Sequence, residues 1–241
     1  MADTTLVTPA PTVVAIVGAS GGVGCKVVEC ALAQGFVVKV LVRNAEKLAK
    51  KIGQENVDKL DKIVLGSVDD EAALKQLLEN ASVVVSCLGT PPKEKPIVAA
   101  GTAKILKQME ECSVKDLVMI SSICVGDSLP QGKKVACCFA NCIRPLILSK
   151  VFADLEIAEK MCFEQQGKLS IVIVRPPHLT DKPGTGGYQW TDAADFNPGA
   201  PAAISRSDVA LAMVDLCRGD SKFKELAGTA PSLFPAKKMK A

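Results

Sequence analysis

Aromatic side chains are scarce in this 241-residue chain, at 4% of residues. Its core must therefore be filled by Val, Ile, Leu and Ala, which suits parallel strands buried on both faces. Histidine occurs once, as His178, and no two of the ten cysteines are spaced C-x-x-C. Both absences argue against a metal site, because zinc recruits such pairs or several histidines. Cys137, Cys138 and Cys142 cluster, while Cys25, Cys30, Cys87, Cys112, Cys124, Cys162 and Cys217 are scattered through apolar segments. That distribution suits free thiols in a reducing compartment. Neither charge dominates: 29 Lys and Arg against 26 Asp and Glu leave +3, mixed along the chain. The basic stripe of a nucleic-acid binder is missing. The most apolar stretch, Val135 to Leu148, falls short of the ~20 residues of a membrane span and is interrupted by Arg144-Pro145. Met1 to Pro11 lacks the basic start and apolar run of a secretory signal. These absences lead us to expect a cytoplasmic protein, a monomer or weak dimer, with no nucleic-acid or membrane partner.

What is present alternates. Thr12 to Val17 is a β-branched run ending at Gly18, and Gly22 to Gln34 has helical spacing, with Gly35 to close it. Strands follow at Phe36 to Val42, Lys62 to Leu65, Ala81 to Cys87 and Leu117 to Ile120. Between them lie helical stretches at Ala45 to Lys51, Asp69 to Glu79 and Ile97 to Cys112. Strand–helix alternation with short links predicts right-handed βαβ units on a parallel sheet. The expected fold is therefore α/β: a single doubly wound Rossmann-type domain with a mostly parallel sheet. A small C-terminal substrate-side extension is expected at about residues 126–201. Within it Gly126 to Lys134 is loop-like, and Val135 to Gln166 is one long helix broken at Pro145 or two shorter ones. Ile171 to Val174 is a strand, Asp181 to Pro201 an extended excursion, and Ser207 to Cys217 a helix capped near Ser207 or Asp208. The domain spans 12–230, flanked by a flexible N-terminus at 1–11 and a flexible tail at 231–241.

Gly18-Ala19-Ser20-Gly21-Gly22-Val23-Gly24 stands between the first strand and its helix. There Gly18 permits the tight turn, Gly21 lets backbone approach a pyrophosphate, and Gly24 allows close helix–strand packing. The helix N-terminus offers N–H groups to the phosphates, with Ser20 as an extra donor. At the end of the second strand an NAD enzyme usually carries an acid for the ribose hydroxyls. This chain has Arg43 there, with Lys47 beyond. Arginine cannot accept from hydroxyls but suits a 2′-phosphate, so NADPH is the expected cofactor unless Arg43 is simply a solvated loop residue.

Ligands of doubly wound sheets bind at the carboxyl ends of strands. Cys87-Leu88-Gly89-Thr90, Ser121-Ser122 and Pro176-Pro177-His178 follow the later strands. Gly89 would let backbone lie along the dinucleotide, and Ser122 would reach nicotinamide or substrate. His178 would donate to an acceptor or to the carboxamide. Each of the latter two also has an ordinary structural use, serine in turns and histidine as a hydrogen-bonded filler.

With these segments assembled, the chain resembles the atypical short-chain dehydrogenase/reductases of the NAD(P)H-binding, NmrA-like kind, and among them the flavin- and biliverdin-reductase branch. The resemblance rests on Val17 to Gly21, Val40 to Arg43, Leu88 to Thr90, Ile204 to Val209 and above all Pro176 to Tyr188. It implies cofactor contacts at Gly18, Ser20, Gly21, Val23, Arg43, Leu88 and Gly89, with Lys47, Ser67 and Val68 as looser matches. It also implies a catalytic pair, Ser122 and His178, beside nicotinamide and substrate. Two features depart from the branch. Ser67 stands where an aspartate is usual, and Gly126 to Glu159 is longer and apolar in new ways.

The familiar enzymes of this superfamily pair tyrosine with lysine four residues on. The single tyrosine here, Tyr188, is followed at that spacing by Asp192. Protonation of an alkoxide by that route is therefore disfavoured. A flavin, quinone or tetrapyrrole-like acceptor delocalises the added charge and takes its proton from solvent. An aromatic or conjugated small molecule is thus the expected substrate of an NADPH-dependent reductase. A non-catalytic NADP(H)-sensing regulator and an isomerase or reductase of sugar or isoprenoid-like substrates stay open.

Overall fold

Val13–Val17 (β1) is a run of small and β-branched apolar residues, buried beyond its first position. The computed structural model describes residues 11–90, 94–135, 137, 139–191 and 203–236. After β1 come α1 (Gly22–Ala33), β2 (Val37–Val42), α2 (Ala45–Ile52), a short α3 (Gln54–Val57) and β3 (Lys62–Leu65). They are followed by α4 (Glu71–Leu78), β4 (Val83–Ser86), α5 (Val98–Glu111) and β5 (Asp116–Ile120). The six-stranded sheet runs β3-β2-β1-β4-β5-β6, all parallel, with β6 at Ser170–Val174. Strand order therefore reverses between β1 and β4, which opens a crevice at their carboxyl ends.

The period of two along each strand divides the core. Val14 and Ile16 join Val27, Val28, Val209 and Met213 on one face of the sheet. Ala15 and Val17 join Leu74, Ile105 and Phe152 on the other. Both faces are covered, as the near absence of polar residues in the strands predicts.

The second half of the domain departs from expectation in three places. Gly126 to Lys134 is a 3₁₀ turn (Gly126–Ser128) running into α6 (Leu129–Val135), where the sequence suggests a loop. Its loop-forming residues have helical uses: Pro130 occupies the first turn, where no N–H partner is lost. Gly132 lies against Cys124 Sγ, where a Cβ would not fit. Pro145 then sits in the first turn of α7 (Arg144–Ile147), after a π-helical turn at Phe139–Ile143. The helical stretch is split, but at Leu148 and not at Pro145, and its long part is α8 (Ser149–Phe163).

Secondly, the domain does not end at residue 230. After β7 (His178–Thr180), β8 (Tyr188–Thr191), β9 (Ala203–Ser205), α9 (Arg206–Leu216) and α10 (Ser221–Leu226), the chain forms β10 (Ser232–Pro235). β10 pairs antiparallel with β8, and Leu233 and Phe234 are 0% and 1% exposed. The Leu233 N–H donates to Arg175 O at 3.0 Å and the Arg175 N–H to Pro231 O at 3.1 Å, so the tail covers the β6 edge. Residues 237–241 of the expected tail lie outside the described residues. Residues 1–10 and 192–202, expected to be a flexible terminus and part of the excursion, also lie outside them.

Thirdly, the cap of α9 is Ser205, whose Oγ accepts from the Asp208 N–H at 2.9 Å. Ser205→Ala should cost about 1 kcal/mol. Urea unfolding should show this as a lowered midpoint with unchanged slope. No helix among the described residues is long and apolar enough to cross a membrane.

Candidate cofactor and substrate site

The glycine turn is built by close backbone approach. Gly18 adopts φ +80°, and a Cβ on it would lie 2.6 Å from Cys87 O, so the ends of β1 and β4 are pressed together. The Gly21 N–H donates to Gly18 O at 2.9 Å and closes the turn. A Cβ on Gly24 would overlap that same Gly18 oxygen. Gly21 caps α1 without a side-chain bond, and the first turn holds no acid. Its N–H groups and positive dipole end therefore stay open to an anion. Ala19 and Val23 are buried beneath, while Gly22 is exposed at the rim.

Arg43, immediately after β2, is exposed. Asn44 caps α2 by accepting from the Lys47 N–H at 2.8 Å, placing Lys47 in its first turn. Lys51 lies four residues on, along the same helix face. Its Nζ donates to Ser20 O at 2.6 Å. A row of cations thus leads from the β2 end to the glycine turn. Lys51 is not among the residues singled out in the sequence; its spacing from Lys47 is the one signal there, and the fold carries it to Ser20.

On the far side of the turn, Leu88 and Val68 converge over Gly101 of α5, where a Cβ would meet them at 2.6 and 3.2 Å. The Ser67 hydroxyl accepts from the Asp69 N–H at 3.1 Å and shapes the turn before α4. Gly89 is exposed, and Thr90 Oγ1 accepts from the Ile97 N–H at 3.3 Å. Burial, with help from Cys25, pushes the Cys87 thiol up to about 12. Cys87 therefore stays a neutral thiol, and its carbonyl is the group that meets the turn.

The corner beyond the ends of β5 and β6 is assembled by two backbone bonds. The Ser121 N–H donates to Val174 O at 2.8 Å and the Ile123 N–H to Pro176 O at 3.0 Å. They hold Ser122 beside the Pro176-Pro177-His178 segment, although the two lie over fifty positions apart. Ser121 Oγ is buried without a partner among the described residues. Ser122 is half-buried and donates to Ile123 O at 3.0 Å. Pro176 and Pro177 are buried, whereas His178 is exposed at the start of β7, paired with Ala203. The glycine turn, Arg43, the segment from Cys87 to Thr90, Ser121-Ser122 and Pro176-Pro177-His178 thus all follow the carboxyl ends of strands of the parallel sheet.

Tyr188 is elsewhere. Its hydroxyl donates to Asp215 Oδ2 at 2.8 Å, and Asp215 Oδ1 accepts from Gln34 Nε2 at 3.0 Å. Gln34 ends α1, twelve residues and roughly 18 Å from Gly22. Burial and then Asp215 hold the Tyr188 pKa well above the usual phenol range.

A doubly wound sheet with a glycine turn at its crossover has the architecture of a dinucleotide-binding domain. The sequence model of the NAD(P)H-binding family matches residues 18–220, and the chain belongs to that family. An uncharacterized chloroplastic protein of Arabidopsis thaliana is 26% identical over 236 residues, covering 93% of this chain and 79% of that protein. Among solved structures, a short-chain dehydrogenase/reductase from Veillonella parvula in complex with NADP superposes with a TM-score of 0.75 at 16% identity, covering 95% and 97% of the two chains. ChuY, an anaerobillin reductase from Escherichia coli O157:H7, does so with 0.73 at 22% identity, covering 95% of this chain and all of that one (100%). These likenesses agree in fold with the short-chain dehydrogenase/reductase resemblance of the motifs.

Proposed function

We propose that the protein is an NADPH-dependent reductase of a planar, conjugated acceptor such as a flavin, quinone or tetrapyrrole-like molecule. The observation that carries the acceptor class is the place of Tyr188, engaged by Asp215 at the far end of α1. No tyrosine acid serves the acceptor corner, and a delocalised acceptor needs none.

In this reading Gly18, Ala19, Ser20, Gly21, Gly22 and Val23 hold the pyrophosphate, and Arg43, Lys47 and Lys51 hold the 2′-phosphate. Ser67, Val68, Cys87, Leu88, Gly89 and Thr90 border the adenosine half. Ser121, Ser122, Pro176, Pro177 and His178 orient the nicotinamide and acceptor, His178 offering an N–H from the exposed start of β7. When bound, the nicotinamide supplies the hydride. The protein's own part is orientation and exclusion of water.

Purified protein should oxidise NADPH in the presence of FMN, FAD or a quinone; absence of turnover with all of them would sink the reductase reading. Arg43→Met should weaken NADPH binding about tenfold and leave NADH unchanged, since it removes a charge-assisted bond to the 2′-phosphate alone. Equal losses for both cofactors would remove Arg43 from that role.

One observation favours a second reading, an NADP(H)-sensing regulator. The Ser122 hydroxyl already donates to Ile123 O. Tight NADPH binding without turnover, with a protein partner retained in only one redox state, would select this alternative.

A further inference from the structure

Arg206 opens α9, far along the chain from the glycine turn, yet lies on it. A Cβ built on Gly22 would meet Arg206 Nε at 2.8 Å and Cδ at 3.1 Å. Gly22 is the first residue of α1, where the open N–H groups gather. The guanidinium is held in that place by Asp181, Nη1 to Oδ1 at 2.7 Å. The carboxylate is 90% exposed, so the pair adds little to stability. Its effect is to orient. One of the five guanidinium donors is committed to Asp181, and others remain for an anion.

Asp181 directly follows β7, whose first residue is His178. β7 pairs with β9, which runs without a break into Arg206. Asp208, two residues further and 2% exposed, accepts from the Thr185 N–H at 2.9 Å and the Gly186 N–H at 3.0 Å. The first turn of α9 thus grips the segment carrying the acceptor-side histidine at two points, and touches the phosphate turn with the same arginine.

We propose that Arg206 is a positioning residue that bridges the cofactor pyrophosphate to the end of β7, so that phosphate binding at α1 fixes the segment from His178 to Gly187. The inference rests on the cofactor reading of the glycine turn and deepens it. Arg206 donates to a pyrophosphate oxygen while keeping its bond to Asp181. Cofactor binding then removes freedom from β7 without any contact between cofactor and Asp181.

The test is titration of wild type, Arg206→Met and Asp181→Asn with NADP+, NADPH and NADH, together with hydrogen exchange over residues 178–187. Arg206→Met should weaken all three cofactors by a similar factor, about 10- to 100-fold, because the pyrophosphate is common to them. Asp181→Asn should keep affinity within about threefold, since the cation that meets the phosphate remains. At saturation, NADP+ should slow exchange of 178–187 in wild type and in neither variant. Affinity of Arg206→Met within twofold of wild type overturns the proposal. So does a loss confined to the 2′-phosphorylated cofactors, or equal protection of 178–187 in all three proteins. Failure of wild type to bind any of the cofactors overturns the underlying cofactor reading instead. Ligand-free melting of Arg206→Met near the wild-type temperature confirms that the losses come from the contact and not from misfolding.

Discussion

Gly24→Ala should abolish measurable NADP(H) binding and lower stability by about 1–3 kcal/mol. The first turn of α1 rests on the carbonyl of Gly18, and a methyl on Gly24 meets that oxygen and the Ala19 backbone, with no side chain that can swing away. The helix must lift from the crossover of β1 and β4. Lifting it carries the N–H groups of Gly22 and Val23 off the line on which they converge, so affinity falls further than stability. Gly89→Ala is the matched control, because a Cβ there meets nothing within 4 Å. It should leave stability within about 0.5 kcal/mol of wild type. Calorimetric titration with NADP+ and ligand-free melting measure both quantities. Binding by Gly24→Ala within threefold of wild type would show that the turn is not where the pyrophosphate sits.

Arg175→Met should cost about 3–5 kcal/mol, the largest stability loss expected of any single change here. For a chain of this length that is roughly 6–20 °C of melting temperature. Arg175 is 2% exposed and Glu159 3%. They meet in a fork, Nε to Oε1 at 3.0 Å and Nη2 to Oε2 at 2.5 Å. Nη1 adds Asp127 at 2.6 Å and Ala230 O at 3.3 Å. Burial opposes the charge on Arg175, but Glu159 and then Asp127 outweigh it and raise its pKa. The guanidinium therefore stays charged at any working pH. Its removal strands a buried carboxylate and takes away the side-chain links to Asp127 of the 126–128 turn and to Ala230 O, while the backbone bonds to Pro231 and Leu233 remain. Arg175→Met with Glu159→Leu should recover most of the loss, because neither ion is then desolvated. A double variant no more stable than Arg175→Met would mean that the network acts through shape and not through paired charge.

The first half of the domain was legible because its signals are local. β-branched runs at Val13–Val17 and Val37–Val42 have little choice but to form strands. The glycine at position 18 announces a backbone conformation that side chains avoid. The second half hides its organisation. Gly132 and Pro130 read as loop punctuation until Cys124 occupies the space beside Gly132. Ser232–Pro235 is too short to declare itself as a strand before β8 pairs with it. Ser205 loses the cap assignment to Ser207 or Asp208 in sequence because all three suit that place. Only the bond from the Asp208 N–H decides.

At the site the division is the same. The glycine turn from Gly18 to Gly24 and the cation at Arg43 each belong to a short stretch of chain, and the lack of a second tyrosine to composition, so none of the three waits on packing. Tertiary structure decided the rest: Ser122 meeting the Pro176 peptide, Lys51 reaching Ser20, Arg206 lying across Gly22, and Tyr188 held away from the crevice by Asp215 and Gln34. Those meetings depend on how α1, α9 and the strand ends pack, and packing is set by the whole core, not by any stretch of chain that takes part in it.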